Sequence, residues 1–423
     1  MKETFYERIG EWLYRETLPN GLQVCVAPKP EYTRSYAFFA TRYGGMDVRF
    51  SLNGQWMDTP PGIAHYLEHK MFDTKEGNAL RKMAKNGAEP NAFTSSAMTG
   101  YYFDATENFE ENLKILLSFV SVPYFTEESV DKERGIIGQE IRMVEDTPDW
   151  QAYIRMMQGL YSRSTARIPV AGSLESIREI TAQTLYDCHR AFYTPSNMML
   201  TVVGNVDPIH VADIARRILP RERGPAVPRD YGEEPSEIFR SPARLEMPVS
   251  MPQFMLGCKC HPEADGEALL RTQMIGDLAC SVLMGDSSPL YLELYQKGLI
   301  NGSFGAAFET MPGAACLYAA GDSKDAETVA KRIFEEAASL GKEGIEDLYF
   351  QRIRRAEFGQ ALRGLNVFEN IAETLTEGYF HGYDAFLFPR VFDAISAQDV
   401  TAFLRENIVE RQAVLSEIVP QKH

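Results

Sequence analysis

Positive charge is in short supply in this chain. Its 423 residues include 43 Lys and Arg against 59 Asp and Glu, a formal net charge of −16. Phosphate binding needs a positive face, so no nucleic acid is expected as a partner. The deficit permits an acidic chamber that attracts basic peptides, although a solvated acidic surface is the commoner origin of such a charge. Long apolar runs are also missing. No stretch approaches the ~20 residues that cross a bilayer, so no membrane partner is expected. The first residues, Met1-Lys2-Glu3-Thr4-Phe5-Tyr6-Glu7-Arg8, carry acids and no apolar h-region. The expectation is a cytoplasmic protein. Cysteine is sparse and scattered, six in all, as suits reduced thiols in a reducing compartment. The one cluster, Cys258-Lys259-Cys260-His261, ends an apolar strand-like run. Alternate residues of a strand share a face, so the two thiols read as packed together, and no second pair completes a zinc site.

Histidine is scarce too, with seven in the chain. Two of them fall in Gly62-Ile63-Ala64-His65-Tyr66-Leu67-Glu68-His69, just after Asp58-Thr59-Pro60-Pro61. Thr59 or Asp58 is expected to cap a helix here, with proline tolerated in its first turn. On that helix His65 and His69 are four apart and share a face, with Glu68 beside the same spot. Two imidazoles at this spacing grip one zinc ion, and a neighbouring carboxylate that is not a ligand can take a proton from water activated there. The order H-x-x-E-H is the inverse of H-E-x-x-H. A chance match has a probability on the order of one in a hundred per chain. The competing reading is an amphipathic helix that buries Ile63 and Leu67.

Length favours two domains, and the chain reads as two halves. Residues 13–29 form an expected hairpin turning at Pro19-Asn20-Gly21, and residues 35–43 a buried strand. Helical stretches are expected near 78–86, at 107–121 and from about Glu127 to Val144, with strand segments across 89–104. The helix from Glu127 places Glu133 and Glu140 two turns apart on one face. A carboxylate there would complete a two-His, one-Glu site with a position left for water. Glu145 is the rival, and an exposed acidic stripe is the competing account. Residues 184–193 read as a helix, 198–203 as a buried strand and 208–218 as a helix. The Pro-rich, charged stretch 219–244 reads as a linker.

The second half echoes the first. Ile180-Thr181-Ala182-Gln183 is answered by Ile395-Ser396-Ala397-Gln398, and each is followed by a helical stretch and an apolar strand. The fold class expected is α+β: two similar domains, each a mostly antiparallel sheet with helices packed on one face. Boundaries are placed at 1–218 for the N-terminal domain, 219–244 for the linker and 245–423 for the C-terminal domain. Where a second metal helix would fall, the C-terminal copy has Leu270-Arg271-Thr272-Gln273-Met274-Ile275-Gly276-Asp277, with no His pair. Any chemistry is confined to the first copy.

These residues together resemble the pitrilysin/insulinase family of zinc peptidases. The likeness rests on His65-x-x-Glu68-His69, Asn91-Ala92-Phe93-Thr94 with Thr99-x-Tyr101, Glu133 with Glu140, Gly172 to Ile177, and Tyr193 to Met198. The resemblance implies zinc held by His65, His69 and Glu140, with Glu68 as general base and Glu133 as a catalytic-site carboxylate steadying the ligands. It implies that Asn91, Ala92, Phe93 and Thr94 bind substrate as an edge strand that pairs with an extended peptide. It also implies two chains, or one double-length chain, closing over a peptide chamber. Active members add an Arg and a Tyr, seven apart, that stabilise the transition state. Here Tyr295 and Gly302 stand at those positions. The expectation is a zinc metallo-endopeptidase subunit acting on peptides or unfolded segments, dimeric with a related subunit that supplies the pair. The alternative is a non-catalytic scaffold subunit of the same fold.

Overall fold

The computed structural model describes residues 1–239 and 244–421. The N-terminal half begins with strands Lys2–Tyr6 (β1), Glu11–Thr17 (β2), Gln23–Pro28 (β3) and Ser35–Thr41 (β4). A hairpin of Arg49–Leu52 (β5) and Gln55–Asp58 (β6) leads to helix Ile63–Met71 (α1). The two-residue strands Asp73–Thr74 (β7) and Gly77–Asn78 (β8) precede Ala79–Lys85 (α2), then Ala88–Thr94 (β9) and Thr99–Ala105 (β10). Helices Phe109–Ser121 (α3), Glu127–Glu145 (α4), Pro148–Leu160 (α5) and Ala182–Phe192 (α6) follow, then Met198–Gly204 (β11) and Pro208–Ile218 (α7). The C-terminal half contains Arg244–Met247 (β12), Gln253–Cys260 (β13), Glu267–Met284 (α8), Pro289–Gln296 (α9), Gly305–Met311 (β14) and Ala314–Asp322 (β15). It ends with Ala326–Glu343 (α10), Asp347–Gly364 (α11), Phe368–Phe380 (α12), Phe388–Asp393 (α13), Ala397–Asn407 (α14) and Ala413–Pro420 (β16).

Two compact units form, and they coincide only in part with the sequence halves. One comprises Met1–Ile141, Pro169–Asp230 and Leu362–Phe386, and the other Arg142–Ile168, Tyr231–Ala361 and Leu387–His423. Of the stretch 219–244, residues 240–243 lie outside the described residues. Residues 219–239 form no helix or strand, yet they are tied down: Arg229 pairs with Asp47 at 2.9 Å, and the Glu234 carboxylate accepts the backbone N–H groups of Ser162, Arg163 and Ser164.

In the first unit the sheet order is β1-β2-β3-β11-β4-β10-β9 among the described residues, and only β3 and β11 run parallel. The central strands β4 and β11 are buried along their whole length, which is why they read as unbroken apolar runs. Alternation splits their side chains. Ala37, Phe39, Leu200 and Val202 meet Ile63, Tyr66 and Leu67 of α1 and Leu113, Leu116 and Leu117 of α3 in one core. Burial of each such large side chain contributes about 1.5–3 kcal/mol. The other face receives α12 from the C-terminal half, where the Thr201 and Thr376 hydroxyls are 2.8 Å apart.

The second unit repeats the plan. Its sheet order is β12-β16-β13-β15-β14, with β12 and β16 parallel. This matches β3-β11-β4-β10-β9 strand for strand, including the place of the parallel pair. Helices α8, α10 and α14 cover one face. The other takes α5 from the N-terminal half, whose Met156 and Leu160 press on Gly257. The sequence echo at 180 and 395 marks equivalent helix starts: Thr181 with Thr184 forms a capping box on α6, and Ser396 with Asp399 forms one on α14.

Candidate metal centre

Helix α1 starts later than its sequence suggests. Its N-cap is Gly62, in the left-handed region at φ 94°, not Thr59 or Asp58. Those two side chains are engaged elsewhere. Thr59 donates its hydroxyl to the Val48 carbonyl at 3.0 Å, and Asp58 ends β6 in an ion pair with Arg49. The helix buries Ile63, Tyr66, Leu67 and Met71, which fixes the opposite side for His65 and His69. Helix α4 buries Val130, Ile137 and Ile141, while Ile136 is left exposed. The buried stripe turns Glu133 and Glu140 toward α1.

His65, His69 and Glu140 bring one donor atom each within 4.8 Å of one another. His65 Nε2 is 3.4 Å from Glu140 Oε1, and His69 Nε2 is 3.5 Å from Glu140 Oε2. A tetrahedral ion with bonds of ~2.1 Å spaces its ligands by about 3.4 Å, close to these two separations, and two imidazoles with one carboxylate are a donor set that suits zinc. Glu145, at the end of α4, is not in the group. His69 Nδ1 is 3.1 Å from Glu133 Oε1. Burial draws the His69 pKa down, but the bond to Glu133 and the charges of Glu68, Glu140 and Glu133 outweigh it and raise the pKa. The hydrogen bond from His65 holds the Glu140 carboxyl below its ordinary range, against the effect of burial. His65 Nδ1 is buried with no hydrogen-bond partner among the described residues.

Glu68 is 7% exposed and is not among the donors. Its Oε2 accepts the Thr94 hydroxyl at 2.7 Å. The Thr99 hydroxyl, 3.4 Å from that of Thr94, donates to the Tyr43 carbonyl at 2.8 Å. Behind them the Tyr101 and Tyr193 hydroxyls are 2.8 Å apart. Both phenols are pushed far up by burial and stay neutral. The sequence motifs Thr99-x-Tyr101 and Tyr193 to Met198 thereby acquire a place. The Thr94–Glu68 bond spans 26 residues, and no local pattern announces it.

Strand β9 lies at the sheet edge. Of its four singled-out residues, Thr94 reaches Glu68, while Phe93 stacks on Phe38 across the other face at 5.8 Å. Asn91 Oδ1 accepts the Ala92 N–H at 2.9 Å, and Ala92 packs partly against the core. Pro90, two residues before Ala92, has no N–H to give to either side.

The second unit holds the vestige of the same arrangement. β14 is its edge strand, and Gln273 of α8 donates to Thr310 at 2.9 Å, as Thr94 bonds Glu68 in the first. Leu270 and Met274 replace the two histidines, so no metal grip remains there. Tyr295 is an exposed residue of α9 stacked on Tyr291, and Gly302 follows in a loop. Cys258 and Cys260 are buried in the second core, and none of the six cysteines is bonded to another.

The family model described as Insulinase (Peptidase family M16) matches residues 54–172, and Peptidase M16 inactive domain matches 179–357. YmfH of Bacillus subtilis (strain 168), described as an uncharacterized zinc protease, is 36% identical over the full length of both chains. A putative M16-like peptidase from Alicyclobacillus acidocaldarius is 31% identical over 97% of this chain and 99% of that one, with a TM-score of 0.94. The periplasmic protease PqqL from Escherichia coli shares the fold at 17% identity and a TM-score of 0.74, with 97% of this chain spanning 48% of that one. With both family models matched along its length and a relative 36% identical over the whole of both chains, the chain belongs to the insulinase (peptidase M16) family.

Proposed function

We propose that this chain is the metal-bearing subunit of a zinc metallo-endopeptidase that hydrolyses peptides or unfolded segments. The observation that carries the reading is the convergence of His65, His69 and Glu140, with a buried and unligated Glu68 carboxylate beside them. Bound zinc would supply a Lewis acid that polarises the scissile carbonyl and brings the pKa of water to near 7. Glu68 is the general base. Thr94 occupies its Oε2, which orients the carboxylate and leaves Oε1 to accept the proton and return it to the leaving amine. Glu133 fixes the His69 tautomer by accepting a hydrogen bond from Nδ1–H, which leaves the Nε2 lone pair directed toward the other donors. The outer edge of β9, Asn91 to Thr94, takes the substrate as an added strand, so main-chain hydrogen bonds supply affinity with little sequence preference.

Tyr295 and Gly302 offer no Arg and Tyr for the developing oxyanion. A related subunit supplies that pair in our account. The same departure is the observation that favours the second reading, a scaffold subunit. Six unpaired thiols suit a reducing compartment, and we place the protein in the cytoplasm. The discriminating variant is Glu68→Gln. We expect zinc content unchanged and peptide cleavage reduced by roughly 10²–10⁴-fold, the range for a lost general base. Loss of zinc from that variant would make Glu68 a ligand and overturn these roles.

A further inference from the structure

Five side chains on two helices form the candidate centre, and a third segment touches both helices. Residues 169–180 meet the start of α1 at backbone level. The Ser176 hydroxyl donates to the Pro61 carbonyl at 2.8 Å and accepts the Ser173 N–H at 2.9 Å. Gly172, at φ 73°, lies so close that a Cβ there would fall 2.4 Å from the Pro61 carbonyl oxygen. A Cβ on Gly62, the residue that opens α1, would fall 2.6 Å from the Ala171 carbonyl oxygen. Two glycines are therefore required for the loop and the helix start to approach this closely.

The same segment grips α4. Arg134, next to Glu133, donates Nε to the Ile177 carbonyl at 3.2 Å and Nη2 to the Ile180 carbonyl at 3.0 Å. The Leu174 and Ile177 side chains come within 3.5 and 4.0 Å of where a Cβ of Gly138 would be, two residues before Glu140. The two helices are also linked directly, by the Tyr66 hydroxyl donating to the Val130 carbonyl and by the contacts of His69 with Glu133 and of His65 with Glu140.

We infer that residues 169–180 are a clamp that sets the separation of α1 and α4, with Ser176 and Arg134 as positioning residues for the metal site. The inference rests on the proposed zinc site. Two ligands ride on α1 and one on α4, so a shift of either helix by a fraction of an ångström takes Glu140 out of ligand spacing while leaving each helix intact. Support around ligands is commonly worth 10–100-fold in metal affinity.

The test uses the full chain and zinc itself, with the dissociation constant read by competition against a chelator of known affinity. The same proteins, stripped of metal, are melted. Ser176→Ala and Arg134→Met should each weaken zinc binding about 10–100-fold. Their metal-free unfolding midpoints should stay within about 4 °C of the wild type, the shift expected for loss of one or two hydrogen bonds. Ser176→Thr, which keeps the hydroxyl, should bind zinc within about threefold of the wild type. Wild-type affinity in both Ser176→Ala and Arg134→Met would overturn the clamp while leaving the zinc site standing. Collapse of the metal-free fold in both variants would also overturn it, because the loop would then be a general support. A wild-type chain that binds no zinc would remove the site and the clamp together.

Discussion

His189 gives the first unit a pH signature separate from the proposed metal site. It is 6% exposed, its Nε2 is 3.1 Å from the Val120 carbonyl, and burial pushes its pKa down to about 4, with that backbone bond opposing. In the unfolded chain it titrates near 6.5. A histidine held neutral by the fold contributes stability that is fully present above about pH 6.5 and lost as the pH falls toward 4. The loss is on the order of 3 kcal/mol. Chemical unfolding of metal-free wild type and His189→Gln checks this, since glutamine keeps a donor for the carbonyl and cannot titrate. The wild type should lose more stability than the variant between pH 7 and pH 4.5, and equal losses would refute the assignment. Nearer the proposed metal site, Glu133→Ala should weaken zinc binding about 10–100-fold without unfolding the chain, measured by chelator competition. His65, Glu68 and His69 are legible in sequence because one turn of helix brings them together. Thr94 was legible only as part of a motif. Its bond to Glu68 depends on β9 reaching the end of α1 through the sheet, which no local spacing encodes.

At the scale of elements, β9 carries the proposed substrate contact. Ala92 gives its N–H to the neighbouring Asn91 side chain, which blunts the open edge when no peptide is paired there. Ala92→Pro removes that donor. Peptide affinity, read as KM or by direct binding, should fall at least about tenfold with zinc stoichiometry unchanged. Unaltered KM in a zinc-loaded variant would place the substrate elsewhere. The central strands and amphipathic helices were readable because burial imposes period on the sequence: β4 and β11 as apolar runs, α3 as a stripe of Leu113, Leu116, Leu117 and Val120. Three features were not. β1 has only Tyr6 buried, and β6 has no buried residue, so neither strand shows a clear apolar face. The start of α1 follows from the close approach of Gly62 to the 171–172 loop, a contact between distant segments that outweighs the local capping signal of Thr59.

For the whole molecule, duplication explains why one copy can lack the histidine pair and persist. The five matching strands need the same apolar alternation in both units, whereas replacing histidines by Leu270 and Met274 leaves the packing satisfied. The repeat was visible at Ile180 and Ile395, where equal capping boxes start equivalent helices. The placement of α5 with the second unit and α12 with the first was not, because each helix obeys the same local rules whichever sheet it covers. The absent Arg and Tyr lead to a further expectation. The purified chain alone should cleave an unfolded peptide at least about 10²-fold more slowly than a mixture with a related subunit that carries the pair, and full activity without a partner would exclude it. All of this rests on the metal. Elemental analysis of the wild type and of His69→Ala tests it most directly: about one zinc per chain in the first and none in the second is the predicted result. A wild-type chain that stays metal-free after zinc is added back would contradict the account and leave the motif as a relic in a scaffold.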